Sequence, residues 1–485
     1  MNHIESTFAN VSHDLSVTEK CELAKQLENA GDYEEARVVL GDLWKNIGER
    51  PSVANLEPAT KAELLLRVGS LSGWIGSAQQ IAHAQDFAKD LINESARIFA
   101  SLGLYEKAVE AQTDLAICYW RAGALHEAGI WFQEALSRAT TVENRVRIVI
   151  NQAIVEIFSN RNDEALKLLG QAAPLLEQIQ DHAVHGRYHM QRAIAFKRLG
   201  GLDNLDRALI ENAAASFHLE QARHTRYLAR VENNIAFILM EFQRHDEALE
   251  HLNKACEIFL ELQDSGSVAQ VNETRARLFL AQQRYDHADE AATAAVAILE
   301  QGDEQGLLAE ALTTHGIALA QLGEYQRALQ TFSRATQTAE AAGDLMSSAR
   351  ARLLMLEHLK NHLSLGELFT LYLEADQRMG RVVDAETIEH LRVASRLAIE
   401  AAQRGLATSE IVMSGSLKED VRRYEGELIR RALEKSEGQV THAARILGMS
   451  HQGLCEILNS RHKNLRHRPP RLRRSHQSQT ATTQA

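Results

Sequence analysis

Three pairs of residues in the middle of this 485-residue chain join an arginine to a side-chain amide four positions on: Arg147 with Asn151, Arg187 with Gln191, and Arg230 with Asn234. A spacing of four places both members on one face of a helix. A guanidinium presents paired N–H donors to a carboxylate, and an amide satisfies both the N–H and the C=O of an extended chain. Such a ladder could clamp a carboxylate or a peptide backbone. The same residues also read as a solvated polar face whose arginines pair with nearby acids. The flanking pairs in the same register are Glu110 with Asp114, Gln270 with Thr274, and Glu310 with Thr314.

The elements that must position these pairs are repeated. The blocks FQRHDEALEHLNKA, QQRYDHADEAATAA and LGEYQRALQTFSRA align with turn positions at Gln243, Gln283 and Gly323. The frame continues back through Gly200, Asn160, Gly123, Gly76 and Gly31 with less regular spacing. Seven residues before each turn the side chain is small: Ala24, Gly69, Ala116, Ala153, Ala193, Ala236, Ala276 and Gly316. After the turn, alanine recurs at Ala36, Ala128, Ala165, Ala248, Ala288 and Ala328, and again at Ala135, Ala172, Ala255, Ala295 and Ala335. Between those two alanine positions stand larger apolar residues such as Phe132, Leu252 and Phe332. Two antiparallel helices approach closely only where small side chains occupy the crossing, and larger ones then fill the gap a turn away. One such hairpin cannot bury its apolar face alone, so copies must stack.

This pattern resembles the tetratricopeptide repeat family over roughly residues 15–342, with units nearer 40 residues than the family's usual 34. Residues 344–404 read as further helices that close the stack. The resemblance implies a right-handed α-solenoid in which the first helix of each hairpin lines the concave face. The Arg–amide ladder would then face a groove.

A second chemistry-bearing stretch is GQVTHAARILGMSHQGLCEIL, residues 438–458. Residues 405–416, GLATSEIVMSGS, read as a linker. A strong helix follows, with Leu417, Val421, Tyr424, Leu428, Ala432 and Leu433 near helical spacing, and Gly438 closes it. Thr441 is expected to cap a short helix over His442–Leu447. Gly448 permits a tight turn, Ser450 caps a third helix, and Leu454, Ile457 and Leu458 face inward. Small pair, glycine turn, serine cap and apolar anchors make a helix-turn-helix.

The stretch RRALEKSEGQVTHAARILGMSHQGLCEIL resembles the C-terminal helix-turn-helix of the Fis family, over about residues 417–465. The resemblance implies that the third helix enters the DNA major groove. His451, Gln452, Cys455 and Asn459 would then meet base edges, beginning from the cap at Ser450. Thr441, His442 and Arg445 would touch phosphates, which position without specifying sequence. The family's long first helix also helps dimerise it, so a homodimer is possible here. Gly453 inside the recognition helix and the acidic Glu456 depart from what base contact favours. Arg461 and Lys463 open a basic run, residues 461–474, with seven Lys+Arg and no acid. Pro469 and Pro470 stop helix formation, so residues 466–485 read as a disordered basic arm adding salt-sensitive contacts.

Charge agrees with this division. Leu417–Ala485 carries 14 Lys+Arg against 7 Asp+Glu, +7 within a total of −12, which leaves −19 on the rest. An acidic body alone would repel DNA. The four cysteines are dispersed and form no CxxC pair, which suits a reducing compartment. The N-terminus has no basic then apolar signal pattern, and no run of about 18 apolar residues exists. A P-loop, HExxH, G-x-S-x-G, kinase set and G-x-G-x-x-G are all missing from the sequence. The expectation is therefore an all-α cytoplasmic protein that is not an enzyme and needs no cofactor. Its fold is a right-handed tetratricopeptide-like α-solenoid (15–404), a linker, a small helix-turn-helix domain (417–465) and a basic tail. Its partners are double-stranded DNA and a protein or peptide in the solenoid groove, with no membrane. The alternative is a scaffold or adaptor that binds proteins without specific DNA contact.

Overall fold

The computed structural model describes residues 15–379, 389–397, 399–400, 417–436 and 438–465. The expected linker 405–416 and basic tail 466–485 lie outside the described residues. The chain separates into two compact units, Met1–Ala401 and Ala402–Ala485. The described residues are helical with no strand, and the first unit is a tetratricopeptide-like α-solenoid.

The solenoid is built of consecutive antiparallel hairpins. In chain order these are α1 (Val17–Ala30) with α2 (Tyr33–Leu40), α3 (Pro58–Gln79) with α4 (Ala84–Ser101), and α5 (Tyr105–Arg121) with α6 (Leu125–Arg138). Next come α7 (Val142–Phe158) with α8 (Asn162–Leu176), α9 (His182–Leu199) with α10 (Leu202–Gln221), and α11 (Thr225–Glu241) with α12 (His245–Glu261). The last are α13 (Ser265–Ala281) with α14 (Tyr285–Leu299), α15 (Gln305–Gln321) with α16 (Tyr325–Ala341), and α17 (Leu345–Leu359) with α18 (Leu365–Met379).

The repeat frame falls where the small residues require it. Ala24, Ala116, Ala153, Ala236 and Ala276 are fully buried at the hairpin crossings, and Phe132, Leu252 and Phe332 fill the adjoining space. Gly316 faces the Phe332 ring so closely that a Cβ would lie 3.0 Å from it. The turn residues take positive φ, from Gly31 (86°) and Gly123 (83°) to Asn160 (60°), Gln243 (60°), Gln283 (59°) and Gly323 (82°).

Gly76 is an exception to the expected frame. It lies inside α3, which continues to Gln79 and ends at Gln80 with φ 55°. Its role is close approach: a Cβ on Gly76 would collide with that of Ala84 on the neighbouring helix.

The superhelix winds tightly enough to meet itself. The α1–α2 turn reaches α11, where the Gly31 carbonyl accepts from Arg226 Nε (3.2 Å) and Arg226 ion-pairs with Asp264. The α3–α4 turn reaches the α14–α15 connection. There the Asp303 carboxylate accepts from the backbone N–H groups of His83 (2.8 Å) and Gln85 (3.1 Å), and Glu304 accepts from Gln80 Nε2 (2.9 Å). Asp303 thus serves the open N-terminus of α4 from a hairpin more than 200 residues away, a favourable placement of negative charge. Farther along, a Cβ on Gly123 would be 3.0 Å from Ala342.

His224 sits in this seam. Its Nδ1 accepts from the backbone N–H of Tyr227 (3.3 Å), capping α11, and Gly31 leaves room for the ring: a Cβ there would be 2.7 Å from it. Burial first, then the charge of Arg187, holds the imidazole down at about 3. The folded state therefore keeps His224 neutral while an unfolded chain protonates it near 6.5, so stability falls as pH drops from about 6.5 toward 3. His224→Asn, which retains a capping oxygen and cannot titrate, should flatten that slope in melting temperatures measured from pH 7.5 to 4.5. Gly76→Val should cost roughly 1–3 kcal/mol through overpacking, read by urea denaturation at neutral pH.

Candidate functional site

Among the described residues of the C-terminal unit there are three α-helices, α19 (Leu417–Lys435), α20 (Val440–Ile446) and α21 (His451–Ser460). Ile429 and Ala432 of α19, Ala443 and Ala444 of α20, and Leu454 and Leu458 of α21 form one buried cluster. The alanine pair lets the three helices converge without large side chains between them. Gly438 (φ 80°) and Gly448 (φ 67°) make the two turns. Gly438 N–H donates to Leu433 O at 2.8 Å, and Met449 N–H to Ala444 O at 3.0 Å.

The Ser450 side chain caps α21, accepting from Gly453 N–H at 3.1 Å. A Cβ at Gly453 would lie 3.2 Å from that Ser450 oxygen, so the glycine inside this helix sits against its own cap. Thr441 does not cap α20. The cap residue is Gln439, with no side-chain bond, and Thr441 lies in the first helical turn. The helix begins early because Val440 is already half-buried against the shared core.

Burial leaves one continuous polar face. His451, Gln452 and Asn459 are exposed on α21 and Cys455 is half-buried, with His451 Nε2 3.6 Å from Cys455 Sγ. Thr441, His442 and Arg445 are exposed on α20. Lys463 is exposed in a short 3-10 turn. Arg461 turns back toward α19, its Nη1 3.3 Å from Glu425, while its carbonyl accepts from Arg422. On α19 the apolar residues divide. Ile429 and Ala432 are buried, whereas Val421, Tyr424 and Leu428 are 57%, 67% and 41% exposed. At spacings of three and four, these three share one face.

In the solenoid, the ladder residues all lie on first helices: Arg147 and Asn151 on α7, Arg187 and Gln191 on α9, Arg230 and Asn234 on α11. Thr141, Asp181 and His224 cap these three helices. Asn151, Arg187, Gln191, Arg230 and Asn234 line one cavity of about 190 Å³. Arg147 lines an adjoining one of about 290 Å³, which shares Arg187, Trp74 and Tyr227.

The arginines are not equivalent. Arg147 is ion-paired with Asp114 at 2.5 Å. Arg187 Nη2 donates to Asn151 Oδ1 at 2.8 Å, and Asn151 Nδ2 donates to the Arg147 carbonyl at 3.0 Å. Arg230 Nε is buried with no partner, and so is Asn233 Oδ1 beside it. Gln191 is 5% exposed.

The sequence frame missed Arg121, Trp74, Trp120 and Tyr227. The Arg121 guanidinium lies 3.9 Å over the Trp74 ring. Trp74, Trp120 and Arg121 come from earlier hairpins and Tyr227 from another register position on α11, so no repeat signal pointed to them.

Residues 421–456 match the bacterial regulatory protein, Fis family, and residues 227–301 match the tetratricopeptide repeat. The chain carries tetratricopeptide repeats and a Fis-family helix-turn-helix. No curated protein sequence matches it. Among solved structures, a Rap protein complexed with competence and sporulation factor is 16% identical with a TM-score of 0.50, covering 72% of this chain and 99% of that one. Aspartyl phosphate phosphatase F from Bacillus subtilis is 12% identical with a TM-score of 0.40, covering 72% and 94%. Yeast Tom70 is 15% identical with a TM-score of 0.41, covering 83% and 85%. At such identities the first likeness is one of fold. No helix among the described residues is long and apolar enough to cross a membrane, and they contain no group of three or more His, Cys, Asp or Glu that could hold a metal.

If the polar face of α20 and α21 meets DNA, two kinds of contact are expected of it. Gln452→Ala and Asn459→Ala should each relax base preference at one position and cost roughly 1–3 kcal/mol there. Arg445→Ala should weaken binding on every sequence and reduce the salt slope by about 1. Fluorescence anisotropy of the full chain on selected and scrambled duplexes, at several salt concentrations, distinguishes the two.

Proposed function

We propose that this chain is a sequence-specific DNA-binding transcriptional regulator whose solenoid receives a protein or peptide signal in its groove. The observation that carries the DNA half is the Ser450-capped α21 of the Fis-family domain. It buries Leu454 and Leu458 and leaves His451, Gln452 and Asn459 free toward solvent. Such a helix offers amide donors and acceptors to the major groove, while Thr441, His442 and Arg445 hold the sugar–phosphate backbone. The groove half is supported by buried polar atoms that line the cavity without a hydrogen-bond partner among the described residues, Arg230 Nε and Asn233 Oδ1. The basic arm over residues 466–485 adds nonspecific affinity in this reading.

The exposed Val421, Tyr424 and Leu428 face of α19 is the surface through which two copies would pair. A two-fold dimer presents two recognition helices about one helical turn apart, and its operator is a palindrome of matching spacing. The signal in the solenoid then acts by changing how the two DNA-binding units are spaced.

Selection of the full chain on a random DNA pool at two salt concentrations tests the reading. An enriched palindrome supports it, and salt-sensitive binding without enrichment leaves only nonspecific association. Absence of binding at either salt favours an adaptor. Tyr424→Glu should convert a dimer to a monomer in analytical ultracentrifugation and weaken operator binding by at least roughly tenfold, through loss of the second half-site. An unchanged mass would remove α19 as the dimer surface.

A further inference from the structure

Buried arginines in this solenoid are paired with acids wherever they hold structure together. Arg67 bonds Glu28 at 2.7 Å and Glu110 at 2.6 Å. Arg226 pairs with Asp264, and Arg352 with Glu340 and Glu374. Arg147 pairs with Asp114. Three arginines that line one cavity differ: Arg121, which is buried, and Arg187 and Arg230, which are half-buried. None has a carboxylate within ion-pairing distance among the described residues. Arg121 is 8% exposed, donates only to the Gly73 carbonyl at 3.4 Å, and has a buried, unpartnered Nε. Arg187 donates to a neutral amide. Arg230 has a buried Nε with no hydrogen-bond partner among the described residues, and its guanidinium lies 5.8 Å from the Tyr227 ring centroid. A guanidinium shielded from water without a paired counter-charge is costly, and three around one cavity also repel one another.

The acids that line the cavity form no ion pair with them among the described residues, although the charge of Glu304 partly offsets the burial of Arg121. Glu304 is bonded by Gln80, and Asp344 accepts from the backbone N–H of Ser347 at 2.9 Å. Glu310 lies near Asp344 and raises its carboxyl further after burial has done so. The resulting potential is felt at Tyr227. Burial raises its hydroxyl, yet Arg187, Arg230, Arg121 and Arg147 outweigh it and leave the phenol below its ordinary value. Beside the charge stand flat apolar surfaces: the Arg121 guanidinium lies 3.9 Å over Trp74 and 5.8 Å from the Trp120 ring, and Trp120 meets Phe158 edge to face at 5.7 Å.

We propose that this cavity takes an anionic ligand with a flat apolar body, its acid group held by Arg187, Arg230 and Arg121 and its body against Trp74, Trp120 and Phe158. This rests on the reading of the groove as the receiving site and names the chemistry that it receives. Gln191 and Asn233 supply hydrogen bonds to the ligand's remaining polar atoms. The acid group is either the free carboxylate of a chain end or the phosphate or carboxylate of a small molecule. In both cases it supplies the counter-charge that the three guanidiniums lack.

Isothermal titration calorimetry on the full chain tests this with three probes: N-acetyl-phenylalanine as a chain-end carboxylate, 1-naphthyl phosphate as a small-molecule anion, and N-acetyl-phenylalaninamide as a neutral counterpart. At least one anion should bind, roughly tenfold or more tighter than the neutral amide. The double substitution Arg187→Gln with Arg230→Gln should abolish that preference, while Arg244→Gln, in an exposed pair with Glu247, should not change it. Because the double variant removes uncompensated charge, its melting temperature without ligand should match or exceed that of the parent. A lower melting temperature would mark the arginines as structural and overturn the proposal. Equal binding of acid and amide also overturns it, yet leaves a receiving groove without anion selectivity. Failure of every probe to bind removes the anionic occupant, and DNA affinity measured on the same protein reports separately on the regulator reading.

Discussion

At hairpin after hairpin of the solenoid, two helices cross where one of them has almost no side chain, and this close approach governs everything built upon it. Ala24, Ala116, Ala153, Ala236, Ala276 and Gly316 hold that position, and Phe132, Leu252 and Phe332 fill the space around it. The depth of the crossing sets the pitch from one hairpin to the next. The pitch in turn decides whether the superhelix returns to itself. Here it does, and Gly31, Gly76 and Gly123 mark places where even a methyl group is too large for the tight packing.

The closed superhelix turns a row of polar side chains into an interior. Arg187, Gln191 and Arg230 would be ordinary solvated groups on an open concave face. With the first hairpins folded against the later ones, they share a cavity with Trp74 and Arg121. Hydrogen bonds and charges there are removed from bulk water, so missing partners matter energetically. The seam uses the same economy of charge as the rest of the core. Asp303 caps α4 from a distant hairpin, and Arg226 is satisfied by Asp264 and the Gly31 carbonyl.

The C-terminal unit relies on a different device, burial of a few residues from three short helices. With Ile429, Ala432, Ala443, Ala444, Leu454 and Leu458 inside, helical geometry leaves His451, Gln452 and Asn459 outside. Its own cap fixes the start of α21, since Ser450 bonds the Gly453 N–H. The glycine that looked unfavourable for a helix stands where a Cβ would press on that serine oxygen.

Much of this was legible in the residues. Small residues at a regular distance before each turn declare paired helices, because no other local structure needs that spacing. The Gly–Ala–Ala–Gly–Ser order near the end declares the helix-turn-helix for the same reason. Local signals were weaker where burial competed with them. Thr441 was the natural cap by type, but Val440 joined the core and moved the helix start to its own position. Val421, Tyr424 and Leu428 carry the right spacing for a core face, yet only Ile429 and Ala432 beside them are buried. Gly76 stood in the turn frame and proved to be a contact residue. The tertiary structure alone decided which arginines are paired. Asp114 reaches Arg147 from the preceding hairpin, while among the described residues no carboxylate pairs with Arg121, Arg187 or Arg230. Pairing of that kind depends on distances between helices far apart in the chain. Periodicity fixes which face of a helix a residue occupies, and the winding of the superhelix fixes what stands opposite it.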